Sequence, residues 1–342
     1  MKHFLLLAVG LLVLSVASTQ PAGDDGFERI RERAEALAPL NSLLIWHADS
    51  LVVEEYFRGM SRERSFNIKS ASKSVLSALV GIAVEDGHLE ELDQPLHTLL
   101  PEAFEGEDEA KKAITLEHAL KMRTGLETTS FGNYGAWVQS RDWVGFQVRQ
   151  PIECPPDRCW SYSTGTSHLL SAILTRQTGQ STFQYARRAL FDPLGIRIDG
   201  WDRDPSGIYL GGNNMAMRPR DLLRFGRLYL QNGVWNGQRL LSEEWIERSW
   251  GSYAVSPWNG HNYGYMWWNT TLAGEKAYFA WGYGGQFLFV VPDLDLAVVI
   301  SSSLSNRPAG SGRHNQRVHR FMSQQVVPAF QSEAHRNTAS AR

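Results

Sequence analysis

A serine with a lysine three residues later, Ser70-Ala71-Ser72-Lys73, lies where an extended segment at 66–69 gives way to a run with the apolar spacing of a buried helix. Positions i and i+3 share a helix face, so the Lys73 amine can reach the Ser70 hydroxyl and take its proton. The N-terminus of such a helix also aims free amides and positive potential at that point, which favours an alkoxide or an acyl oxyanion. A plainer reading has Ser70 capping the helix and Lys73 solvated. Against it stands the surrounding run, A-x-K-x-V-L-S-A-L-V-G-I-A-V, because an amine buried among apolar side chains needs a compensating purpose.

Two further groups could join that pair. Tyr162 stands in W-S-Y-S-T-G, residues 160–165, just ahead of a long apolar stretch. A phenol, with an ordinary pKa of about 10, works as a base at neutral pH only beside a cation, and Lys73 is a candidate for it. Farther on, W-G-Y-G-G-Q at 281–286 puts three glycines at the entry to a strand, where bare backbone admits a ligand and amides can donate to developing charge. Taken singly, the tyrosine also fits a buried hydrogen-bonded side chain and the glycines a turn. The absence of H-E-x-x-H, G-x-S-x-G, Walker and G-x-G-x-x-G patterns removes the main support for zincin, α/β-hydrolase, P-loop and dinucleotide-binding readings.

These residues need a scaffold. Residues 42–46 and 51–57 read as a hairpin about a polar H-A-D-S turn, and 263–268, 277–281, 286–291 and 296–301 as four more strands. The two groups are expected to share one antiparallel sheet. Between them, 70–84 and 165–178 read as buried helices stopped at Gly87 and Gly179, with shorter helices at 115–121, 183–189, 219–231 and 243–249 and a charged one at 27–37. The predicted architecture is an α/β part from 20–89 and 261–330, a mainly helical insert at 90–260 and a polar tail at 331–342. The aromatic-rich segment 128–150 is expected to line the entrance to the site, with packing inside the insert as the competing reading. Asn133, Arg141 and Asp142 are candidates there for orienting a polar substrate.

Composition sets the class. The 342 residues are 43% apolar and 20% charged, enough for one core or two adjoining ones, which excludes a disordered or fibrous chain. A formal charge of -2 provides no field for gripping nucleic acid. An uncharged, apolar run at 4–16 follows Lys2 and His3 and leads to Ala17, Ser18 and Thr19, which predicts a cleaved secretory signal over 1–19. The run is short of the roughly 20 residues that span a bilayer, so a soluble exported protein is expected, without stable membrane insertion. In an oxidising compartment Cys154 and Cys159 are expected to form a small disulfide loop that fixes the chain leading to Trp160 and Tyr162. A zinc site is not expected, since His168 is the nearest partner and has no second beside it.

The order Ser-x-x-Lys, then Tyr-Ser-Thr, then a glycine-rich strand resembles the serine β-lactamase-like hydrolases: class C β-lactamases, D-alanyl-D-alanine carboxypeptidases, related esterases and 6-aminohexanoate-dimer hydrolases. The likeness extends through I-T-L-E-H-A-L-K-M-R-T-G-L-E at 114–127 and through 211–249. It implies an antiparallel sheet flanked by terminal helices, with a helical insert and no cofactor. It also implies Ser70 as acylated nucleophile, Lys73 as the amine that deprotonates it and Tyr162 as proton shuttle. The oxyanion hole would combine the amides of Ser70 and Gln286 if Tyr283, Gly284 and Gly285 occupy the place of the family's Lys-Thr-Gly, or Gly285 after a one-residue shift. Two departures bear on substrate. Thr164 stands where the β-lactamase pattern has Asn, and Tyr283 where it has Lys or His, which weakens an anion site. The expected activity is hydrolysis of a small ester or uncharged linear amide through an acyl-serine. β-Lactamase or carboxypeptidase activity is the alternative, and a non-catalytic penicillin-binding-like receptor is a reading of another class.

Overall fold

The computed structural model describes residues 24–304 and 311–331; the expected signal at 1–19 and the tail beyond Gln331 lie outside them. Eight antiparallel strands form the main sheet: β1 (Leu40–His47), β2 (Ser50–Tyr56), β3 (Ala254–Val255), β4 (Asn262–Tyr263), β5 (Trp268–Leu272), β6 (Glu275–Gly282), β7 (Gln286–Val291) and β8 (Leu296–Ser302), in spatial order β2-β1-β8-β7-β6-β5-β4-β3. Both ends of the chain therefore build one sheet, as the patterning predicts. β7 and β8 are buried at every residue, while β2 alternates less cleanly at the sheet edge. The β1–β2 turn holds Ala48 and Asp49 at positive φ, the conformation a tight two-residue hairpin requires.

One predicted strand is wrong in kind. Residues 263–268 make a hairpin: Tyr263 pairs with Trp268 across a turn that holds Met266 at positive φ. The aromatic run masks that turn because it contains none of the usual Asn-Gly or Pro-Gly signals.

Five helices matter to the site and the sheet: α1 (Asp24–Glu35), α2 (Ser72–Glu85), α3 (Thr164–Thr178), α4 (Pro219–Leu230) and α5 (Ser311–Phe321). α2 is almost wholly buried, with Ser72 to Ala83 all inside, and packs against α3. α3 opens with Ser163 as its cap, whose hydroxyl accepts from the Thr166 amide (3.3 Å), and closes on Gly179 at φ +66. A small three-stranded sheet joins Phe66–Asn67 to Met215–Met217 and Ile198–Trp201, and so brings the segment before Ser70 beside the glycine-rich loop 211–214. A second, minor apolar cluster of Trp137, Trp143 and Leu210 lies apart from the main core.

Candidate active site

Ser70 sits in a single 3₁₀ turn, Lys69–Ala71, that leads directly into α2. The turn is forced: Lys69 has φ +53, and its amide is held by Asn67 Oδ1 (2.9 Å). The Ala71 amide donates to the Ile68 carbonyl (3.2 Å). Neither the 3₁₀ turn nor α2 takes a side-chain cap, so the capping reading of Ser70 falls away. Lys73 is 1% exposed. Its Nζ donates to Ser70 Oγ (3.3 Å), Thr164 Oγ1 (3.2 Å) and the Gly212 carbonyl (2.6 Å), and lies 5.0 Å from the centre of the Tyr162 ring. All three hydrogen-bond partners are neutral, and burial disfavours the charged form. The Lys73 amine is thereby lowered from its ordinary 10.5 to about 7.

Tyr162 closes the group. Burial raises its phenol well above the ordinary value, and a side-chain hydrogen bond with Ser70 acts in the opposite sense. The sequence reading offered Lys73 as a cation that makes Tyr162 a base; the environment instead makes Lys73 the group that loses its proton near neutrality and keeps Tyr162 a phenol. Trp160, Trp258, Tyr263 and Trp268 surround the Tyr162 ring, with centroids 5.7–6.2 Å from it. The chain entering Tyr162 is fixed by backbone bonds from the Glu153 amide to Gly125 O (2.8 Å), Asp157 to Arg123 O (2.8 Å) and Ser161 to Met122 O (3.0 Å). Cys154 and Cys159 form a close pair within that segment, their Cα atoms 6.3 Å apart.

Ser70, Tyr162, Thr164 and Tyr283 border one open cleft of about 550 Å³, with Lys73 buried behind Ser70. Gly284, Gly285 and Gln286 do not border it. Residues 283–285 form the turn between β6 and β7, with Gly282 paired to Gln286 and the last two glycines at φ +103 and +84. The Gln286 side chain is buried against Ser302, donating to its carbonyl (2.8 Å) and accepting from its amide (3.1 Å). The glycines make the turn that the plainer reading allowed, and the strand end that borders the cleft is that of β6, through Trp281, rather than Gln286. Gly282 is required there, since a Cβ would collide with the Ile68 carbonyl one residue before the Lys69–Ala71 turn.

Several site residues escaped the sequence reading. Ser130 Oγ hydrogen-bonds Thr164 Oγ1 (2.8 Å) and accepts from the Thr164 amide (2.7 Å), so Thr164, at the cleft wall, also belongs to the Lys73 network. Gly212, at φ +90, gives Lys73 its strongest acceptor. Asn213 donates to Tyr134 Oη (3.0 Å), and Asn214 Oδ1 accepts from both Asn67 and Lys69 Nζ (3.0 Å each). The signal was G-G-N-N at 211–214, legible as a turn but not as a lysine acceptor. Behind it, Asp204 Oδ2 meets His168 Nε2 (3.0 Å), and His168 Nδ1 accepts from the Gly211 amide (3.2 Å). Of the segment 128–150, Ser130, Phe131 and Tyr134 line the cleft, whereas Trp137 and Trp143 pack in the minor cluster. Asn133 binds Glu127, and Asp142 caps a short helix and pairs with Arg149, so neither reaches the cleft. Arg141 is likewise not among its lining residues. Among the described residues no group of three or more metal-ligating side chains occurs, and no helix is long and apolar enough to cross a membrane.

A sheet assembled from both chain ends, a helical insert and a Ser-x-x-Lys turn at their junction define a class, and the beta-lactamase family profile matches residues 34–321. The chain belongs to the beta-lactamase family of hydrolases. Among its relatives, the 6-aminohexanoate-dimer hydrolase of Paenarthrobacter ureafaciens is 24% identical over 307 residues, which cover 80% of this chain and 74% of that protein. Among solved structures, EstCE1, a hydrolase with promiscuous acyltransferase activity, superposes with a TM-score of 0.71 at 17% identity, covering 88% of this chain and 99% of that one. A penicillin-binding protein homologue from Caulobacter crescentus gives 0.70 at 16% identity, over 89% and 98%.

Proposed function

We propose that this chain hydrolyses ester or linear amide bonds through a covalent acyl-serine intermediate. The observation that carries the reading is the buried Lys73 amine, 3.3 Å from Ser70 Oγ and lowered to about 7. Neutral Lys73 takes the hydroxyl proton as Ser70 Oγ bonds to the substrate carbonyl carbon. The carbonyl oxygen becomes an oxyanion facing the amide of Ser70 and the end of β6 at residues 281–283, which replaces Gln286 as the second donor. As the intermediate collapses, the bond to the leaving oxygen or nitrogen breaks; Tyr162 gives that atom its proton and is reprotonated from Lys73. Water then adds to the acyl carbon, its proton passes to the same relay, and release of the acid restores Ser70.

Intact mass after treatment with a fluorophosphonate tests the nucleophile. The native chain is expected to gain one adduct and Ser70→Ala none; an adduct that persists in the variant assigns the chemistry to another serine. A β-lactam or D-alanyl-D-alanine substrate is the second reading, favoured by Lys69, which lines the cleft and carries positive charge there. Rapid turnover of nitrophenyl esters with poor turnover of a chromogenic cephalosporin supports the first reading, and the reverse supports the second. A receptor without turnover would leave both untouched.

A further inference from the structure

On the reading just given, Tyr162 protonates the departing atom, so the leaving group must rest on whatever surface continues outward from Tyr162. That surface is aromatic. The Trp258 ring stands edge-on to Tyr162, with centroids 6.0 Å apart, Trp160 backs it at 5.1 Å, and Phe131 meets it edge-on at 5.0 Å. Trp258 is 52% exposed and Phe131 55%, although both line the cleft. Of the five large apolar side chains that stand exposed among the described residues, three (Phe131, Trp258 and Tyr283) border this one opening. Rings left in water at such a place cost free energy that a bound apolar group recovers.

The wall is also held in place. Trp258 sits at the tip of the β3–β4 hairpin, where the Ser256 amide donates to His261 O (2.9 Å), Gly260 to Ser256 O (3.0 Å) and Trp258 to Ser256 Oγ (3.3 Å). Phe131 follows Ser130, whose amide donates to Thr128 Oγ1 (3.0 Å), and that hydroxyl donates to the Tyr162 carbonyl (2.6 Å). The hairpin tip thus holds Trp258 against the Tyr162 ring, and the Thr128 hydroxyl ties the segment of Phe131 to the Tyr162 backbone. An aromatic wall can attract a cation as well as an apolar group. Here no carboxylate among the described residues lines the cleft, so a cationic group finds no counter-ion there.

We propose that the Trp258–Phe131 wall is the leaving-group subsite and that it selects substrates whose departing alcohol or amine is uncharged and bulky, aromatic above all. The test is a set of acetate esters differing only in the alcohol: ethyl, 2-phenylethyl, 3,3-dimethylbutyl, choline and 2-carboxyethyl. The 2-phenylethyl ester is expected to exceed the ethyl ester in kcat/KM by about tenfold or more. The 3,3-dimethylbutyl ester should exceed its cationic isostere, the choline ester. Trp258→Ala and, separately, Phe131→Ala are expected to lower the phenylethyl-to-ethyl ratio severalfold, while the ratio of ethyl phenylacetate to ethyl acetate, which varies the acyl side, stays within about twofold. A flat alcohol series, a preference for the choline or carboxyethyl ester, or a variant effect confined to the acyl series overturns the assignment. Ser70-dependent turnover with a flat series removes only this subsite; no Ser70-dependent turnover of any ester removes the hydrolase reading and the subsite with it.

Discussion

Gly212 shows how far the chemistry depends on a residue that has none of its own. Its φ of +90 turns the carbonyl onto Lys73, and a Cβ there would strike Lys73 Cγ and Ser167 Oγ. Gly212→Ala is therefore expected to displace the amine from Ser70 and to lower kcat by about a hundredfold, within the range seen for loss of a positioned base, as steady-state kinetics would register. The amine itself sets the pH dependence. The base must be unprotonated, so activity is lost as pH falls: kcat/KM is expected to rise through about pH 7 and then level, following the lowered Lys73. A profile that instead rises only near pH 10 would mean that Lys73 titrates as a solvated amine. Tyr162→Phe keeps the ring but removes the relay, and single-turnover kinetics should show acylation slowed by orders of magnitude. The meeting of Ser70, Lys73 and Tyr162 was legible because their residue types and order mark them as partners. Ser130 and Gly212 were not, since only folding brings the Gly212 carbonyl onto Lys73 and the Ser130 hydroxyl onto Thr164.

At the level of elements, the site hangs on two close approaches. β6 runs into the turn that holds Ser70 because Gly282 has no side chain to stand between it and Ile68. Gly282→Ala is expected to push the strand away, costing about 1–3 kcal/mol of stability in a denaturant titration and reducing activity more than that loss of folded protein explains. α3 carries Thr164 and, one turn on, His168, whose bonds to Asp204 and Gly211 pin the loop that meets Lys73. Sequence periodicity located β6, β7, α2 and α3 within a residue or two. It left 281–286 open between a strand entry and a turn, because the alternation of rings and glycines suits either, and only the pairing of Gly282 with Gln286 decides between them. The aromatic run 263–268 likewise holds a turn, there hidden among strand formers.

Across the molecule, the helical insert and the sheet are tied by contacts that sequence order could not disclose. Arg220, in the first turn of α4, grips Glu54 of β2 through Nε at 2.7 Å. That hydrogen bond, ahead of the opposing effect of burial, lowers the Glu54 carboxyl from 4.5 to about 2. A carboxyl depressed in the folded state stabilises above its unfolded value and loses that contribution as pH falls, here between about 4.5 and 2. Glu54→Gln should accordingly lower Tm at pH 6 more than at pH 2.5, by differential scanning calorimetry. The spatial order of the main sheet has a further consequence. β1 lies between β2 and β8, with Leu40 paired to Ser302. A ribosome therefore releases Ser70, Lys73 and Tyr162 long before the segment that seats their supporting layer exists, and a growing polypeptide must wait for its last strand before the hydroxyl is armed. Premature termination between 283 and 296 would yield a fragment that carries Ser70, Lys73, Tyr162 and Tyr283 but lacks the strand that joins β1 to β7.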